Sequence, residues 1–122
     1  MKIRFYYFYN PLWREFIPSC QIYGGEFNVL TNYISEVDID FGVFCLDKLK
    51  NKNIHEFDIS SESWGADIDD ESVILFSLYD EENLEFKMDM PRDNLFFLLE
   101  KWLNFLCNEK DKSYEEIIDI EA

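Results

Sequence analysis

"SVILFSLY", residues 72–79, is the stretch that decides the fold. Val73 and Leu75 alternate with Ile74, Phe76 and Leu78, so apolar side chains fall on both faces of an extended chain. A strand of that kind belongs in the interior of a sheet, covered on both sides. "DEEN" (80–83) follows as a polar connection of hairpin length, and "LEFKM" (84–88) alternates with Leu84, Phe86 and Met88 inward. These two strands are expected to pair antiparallel, the second half-exposed. Upstream, "IHEFDI" (54–59) alternates with His55, Phe57 and Ile59 on one face. Between it and the central strand, residues 60–71 read as an acidic loop.

Further out the period changes. Phe27, Leu30, Ile34, Val37, Phe41 and Phe44 recur at spacings of three and four, which predicts one long helix from Phe27 to about Leu49. Asp38 and Asp40 fall on its other side, and Lys48, Lys50 and Lys52 suit the negative end of its dipole. A second helix starts near Pro91, a residue favoured at the first helical position, with Leu95, Leu98, Leu99, Trp102, Phe105 and Leu106 as its buried stripe. At the start of the chain, "IRFYYFY" (3–9) reads as a strand ended by Asn10-Pro11, and "PSCQIYGGE" (18–26) as loop chemistry. The charged tail from about residue 108 contains "EEIIDI" (115–120), which could add a short edge strand. The fold class expected is α+β: a small antiparallel β-sheet packed by two main helices, in one domain spanning 1–122.

The chain has 122 residues, 48% of them hydrophobic and 18% aromatic, enough to build a packed core. Its formal net charge is −15, which repels nucleic acid and anionic membranes and draws in basic proteins. Cys20, Cys45 and Cys107 are odd in number and far apart, so reduced, buried thiols are expected rather than a disulfide framework or a zinc site. The apolar start is cut short by Asn10-Pro11, so no signal peptide is expected, and no apolar run reaches membrane-spanning length. A soluble cytoplasmic protein is the expectation.

"WGADIDDES" (64–72) holds Asp67, Asp69, Asp70 and Glu71 behind Trp64. As a calcium loop it fails: counted from Asp67, Ser72 stands where the EF-hand needs Gly and Leu78 where it needs Glu. The single histidine, His55, and the scattered thiols make a transition-metal site poorer still. No nucleophile elbow or phosphate-binding glycine loop is present, so neither catalysis nor a cofactor is expected. Charge is segregated along the chain. Ten acids and one base, Lys87, lie between Glu62 and Asp89, whereas residues 1–25 carry Lys2, Arg4, Arg14 and Glu15. Such segregation steers a basic partner. The reading that follows places Trp64, Asp67, Asp69, Asp70 and Glu71 in one partner-binding patch and Asp80, Glu81 and Glu82 in a second. Trp64 serves equally well as a core residue.

Three segments carry a resemblance: "GGEFNVLTNYISEVDIDFGVFCLDKL", "SWGADIDDESVILFSLYDEE" and "DMPRDNLFFLLEKWLNFL". Together, over about residues 24–107, they look like the small bacterial immunity proteins of contact-dependent growth inhibition systems. The likeness lies in a long helix after Gly-Glu, a Trp before a strand ending in Tyr-Asp, and Leu-Leu-Glu-Lys-Trp in the last helix. It implies a protein that neutralises the C-terminal toxin domain of a neighbouring effector, commonly a nuclease, and it assigns no residue a role. The expected function is stoichiometric, 1:1 inhibition of a basic nuclease toxin through the acidic patches. The alternatives are an acidic nucleic-acid mimic, whose acids would be spaced like phosphates along an elongated face, and a small acid–base enzyme, which would bury carboxylates in a pocket.

Overall fold

The computed structural model describes residues 1–108 and 111–120 and has an α+β fold with two antiparallel sheets. One sheet has the order β2-β1-β7, built from β1 (Lys2–Asn10), β2 (Glu15–Ile22) and β7 (Glu115–Asp119). The other has the order β3-β4-β5-β6, from β3 (Glu56–Asp58), β4 (Trp64–Asp69), β5 (Ser72–Ser77) and β6 (Met88–Pro91). Between them lie α1 (Val29–Ser35), α2 (Ile39–Lys50) and α3 (Arg92–Cys107). A single apolar cluster joins Ile3 and Phe5 of the first sheet, Ala66, Ile68, Val73 and Leu75 of the second, and the helices. Among the described residues no helix is long and apolar enough to cross a membrane.

β5 is interior to its sheet, as the alternation of "SVILFS" requires. Only one of its faces is packed, however: Val73 and Leu75 are fully buried, while Ile74 and Phe76 are half-buried on the side the helices leave uncovered.

The expected helix from 27 to 49 is two helices. Asn28 caps α1, accepting from the backbone of Thr31 at 2.9 Å, with the Thr31 hydroxyl returning the bond in a capping box. Asp38 caps α2 by accepting from Phe41 N at 2.8 Å. Val37, at the break, is buried and gives its carbonyl to the Trp102 indole N–H at 2.8 Å. The break shifts the buried stripe by one residue. Gly42, Cys45 and Leu49 face inward on α2, and Phe27 and Phe44 are exposed. Glycine at 42 is dictated by packing, since a Cβ there would collide with Leu103 of α3.

Three further expectations are corrected. Residues 15–22 form an edge strand rather than loop, and Pro18 is tolerated because an edge strand need not donate from every N–H. Residues 64–69 are strand β4, which splits the expected loop into a connection at 59–63 and a two-residue turn at Asp70-Glu71, where Asp70 adopts φ +55°. The partner of β5 is Met88–Pro91 rather than 84–88. Leu84–Phe86 instead form a 3-10 turn, capped by Asn83, which accepts from Glu85 N. Pro91 is therefore the last strand residue, and α3 begins at Arg92. The stripe Leu95, Leu98, Leu99, Trp102 and Phe105 is buried as read, joined by Leu103, with Leu106 partly covered. Cys20 and Cys45 are buried free thiols, whereas Cys107, expected inside, is exposed.

Candidate functional site

Directly opposed residues of an antiparallel ladder share a face. The register of the four-stranded sheet therefore sorts its side chains in rows. Glu56 of β3 stands opposite Asp69 of β4, and Asp58 opposite Asp67. Asp67 in turn opposes Ile74, and Ile74 opposes Asp89. Beyond them Phe76 opposes Gly65 and lies so close over it that a Cβ there would strike the ring. The face turned away from the helices thus carries the carboxylates of Glu56, Asp58, Asp67, Asp69 and Asp89 around an apolar centre of Ile74 and Phe76. A depression of about 450 Å³ on this face is lined by Glu56, Asp58, Asp67, Asp69 and Ile74.

Two directly opposed acid pairs are unfavourable neighbours in a sheet. Among the described residues no cation forms an ion pair with any of the five acids. The cost is visible at Asp67. Its pKa is raised by partial burial, then by the charges of Asp58 and Glu81. The folded state holds this proton more tightly than the unfolded chain does. Ionisation of Asp67 therefore weighs against folding as pH rises above the ordinary Asp value of 3.8, and the penalty is absent below it, where the carboxyl is protonated in both states. Asp67→Asn is expected to raise the unfolding free energy measured by chemical denaturation at neutral pH by less than about 1 kcal/mol, because water screens the open face. That gain should fade when the comparison is repeated at about pH 3. A gain independent of pH would assign the effect to packing instead.

The residues singled out from the sequence are brought together only in part. Asp67 and Asp69 share the open face. Trp64, an even number of positions from neither, points to the opposite face, where it is half-buried and meets Phe86 edge-on at 5.9 Å. It packs against the core without being enclosed in it. Asp70 and Glu71 form the turn at one end of the face. Asp70 faces His55 Nδ1 at 3.0 Å, and Glu71 is 3.8 Å from Lys52 Nζ. Asp80, Glu81 and Glu82 lie in the exposed connection leaving β5, at the other end, and Glu81 is near enough to act on Asp67. Glu56, Asp58 and Asp89 were missed. The alternation of "IHEFDI" already set Glu56 and Asp58 opposite Phe57, but the pairing of β3 with β4 that brings them to Asp69 and Asp67 is a matter of register.

The chemistry open to this arrangement is electrostatic. Among the described residues no three His, Cys, Asp or Glu side chains converge closely enough to hold a metal ion. The buried groups outside the face are occupied structurally. The Tyr33 hydroxyl donates to Ile59 O at 2.7 Å and lies 3.5 Å from Cys45 Sγ, and burial pushes the Cys45 thiol up to about 11.

Arg92 is also absent from the sequence-based reading. It is 1% exposed and, among the described residues, pairs with no carboxylate. Its guanidinium instead donates to five backbone carbonyls. These are Leu49 O from Nε, Ile54 O and Asp70 O from Nη1, and Lys48 O and Asn51 O from Nη2, at 2.7 to 3.0 Å. Every N–H of the side chain is used. The charge sits at the negative end of the α2 dipole. The same residue thus ties the end of α2 to the β4–β5 turn and so fixes one end of the acidic face.

Relatives of this chain carry no description of activity. It is 30% identical to the UPF0275 protein PM0504 of Pasteurella multocida (strain Pm70), across 98% of this chain and 93% of that protein. It is 29% identical to the uncharacterized protein PM0491 of the same organism, across 76% and 77% of the two. No solved structure matches the chain. A family model matches residues 1–122 in full, and the chain belongs to DUF5376, a family of unknown function.

Proposed function

We propose that this protein is an immunity protein: a non-enzymatic, cytoplasmic inhibitor that binds a cognate toxin domain one to one. The toxin is a basic nuclease. A nuclease must be positive where it holds phosphates, and a rigid acidic face can cover that groove or clamp the domain beside it. The observation that supports this reading is the open face of the four-stranded sheet. Its opposed acid pairs, Glu56 with Asp69 and Asp58 with Asp67, weaken the free protein and become favourable once lysines or arginines stand over them. Ile74 and Phe76 at its centre offer apolar contact within a charged surround, the anatomy of an interface.

The sheet also favours a second reading, a nucleic-acid mimic. Asp67 and Asp69 lie two residues apart on one strand, a repeat of about 6.8 Å, and they form a row structure that a loop would lack. Against it, the acids make a compact patch across the strands rather than a long file.

Charge reversal separates the readings. Asp67→Lys with Asp69→Lys should leave the circular dichroism spectrum unchanged and cripple neutralisation of a cognate nuclease domain. Wild type should associate quickly at low salt and more slowly at high salt, and the double variant should lose most of that dependence. Where acid–base pairs become buried in the complex, the loss reaches about 2–5 kcal/mol each. Unchanged kinetics in a folded double variant would exclude this face as the interface. Inhibition of unrelated DNA-binding proteins by the wild type would favour the mimic.

A further inference from the structure

The sheet β2-β1-β7 is uneven. β7 covers β1 only from Lys2 to Tyr6, whereas β1 and β2 stay paired out to Asn10 and Glu15. The last part of this hairpin is therefore a two-stranded arm, a form only marginally stable on its own. Its side chains are apolar and exposed: Phe8 is 49% exposed, Trp13 68% and Leu12 88%. Tyr9 and Phe16 pair across its other face at 5.1 Å and are also open to solvent. A contiguous exposed apolar surface of this kind marks an interaction site. The arm is also the part of this acidic chain that carries no net charge, with Arg14 at its tip beside Glu15.

A matching receptor is present on the same chain. A cleft of about 580 Å³ lies at the base of the arm, where Val37, Trp102 and Leu106 give it an apolar floor and Glu36, Asp38 and Asp40 ring it with acid. Its wall includes Ile17, which pairs with Phe8 on the arm, while Leu12, Trp13 and Arg14 lie beyond the paired strands in the connecting turn. The pairing of β1 with β2 out to Asn10 and Glu15 holds the tip away from its own cleft and suits exchange with a second copy.

We propose that the protein self-associates by reciprocal arm exchange, the Leu12–Trp13 tip of each copy seating in the other's cleft with Arg14 against its acidic rim. The exchange is two-fold and closed, each copy offering the same two surfaces. It brings together the least acidic part of one copy and the most apolar concavity of the other, while the charged faces of the four-stranded sheets stay apart. The association is independent of the toxin-binding reading, since it leaves that sheet untouched.

Sedimentation velocity across a concentration series tests it. Wild type should pass from monomer to dimer with rising concentration. Trp13→Ser alters an exposed side chain and should keep the fold by circular dichroism, yet raise the dissociation constant about tenfold or more. Arg14→Asp and Asp40→Lys should each weaken the dimer, and the two together should restore part of it. A wild type that stays monomeric at every concentration, or a dimer indifferent to Trp13→Ser, overturns the proposal. A monomer that floats with neutral phosphatidylcholine vesicles in a Trp13-dependent way overturns it in favour of a lipid surface.

Discussion

Arg92→Met is expected to destabilise the fold by about 3–5 kcal/mol or more, a large fraction of the roughly 5–15 kcal/mol available to a domain of this size. The methionine fills much of the volume but donates no hydrogen bond. The carbonyls of Lys48, Leu49 and Asn51, at the end of α2, lose their partner, as do those of Ile54 and Asp70. Hydrogen bonds to a charged group are worth about 1.5–3 kcal/mol each, and acceptors left buried carry their full desolvation penalty. Arg92→Lys discriminates charge from geometry. An ammonium keeps the favourable end of the helix dipole but cannot reach carbonyls arranged around a planar fork, so an intermediate loss is expected. Chemical denaturation of the three proteins gives the order Arg, Lys, Met. A loss below about 1 kcal/mol for Met would show that water or main-chain movement satisfies the carbonyls as well as the guanidinium does.

Trp102→Ala carries the second large effect, about 3–5 kcal/mol. Trp102 is 1% exposed, sits edge-on to Phe5 at 5.0 Å and stacks on Phe105 at 5.7 Å, so it joins α3 to the sheet containing β1. It also holds the joint between α1 and α2 through Val37 O. Trp102→Phe keeps an aromatic ring and removes that hydrogen bond, and should lose an intermediate amount. The control is Asp69→Asn. Asp69 is exposed and opposite Glu56, so removing its charge should leave stability unchanged or raise it slightly. Similar losses for Trp102→Ala and Asp69→Asn would mean that the acidic face holds the fold together, contrary to the geometry.

Both residues show how unevenly the structure can be read from the chain. Trp102 is visible in the sequence because its neighbours Leu95, Leu98, Leu99 and Phe105 repeat at helical spacing, and burial follows from periodicity. Arg92 has no such signal. An arginine at the start of a helix reads as solvated, and the carbonyls that neutralise it come from positions 22 to 44 residues away in the chain.

What the sequence determined by itself was local. Alternation in "SVILFS" required a strand within a sheet, the aromatic run at 3–9 required another, and the leucine stripe required α3. The −15 charge restricted the partners that the surface can attract. Tertiary structure decided whatever depended on pairing. A strand's alternation separates Trp64 from Asp67 and Asp69, but the partner strands and their register decide that Glu56, Asp58 and Asp89 join those acids on one open face. The apolar period between 27 and 49 was continuous enough to suggest one helix; the caps at Asn28 and Asp38, with the Trp102 indole on Val37 O, divided it. Periodicity records which residues seek burial, because that preference belongs to each side chain. It does not record which surfaces meet, because register and caps are settled by partners distant in the chain.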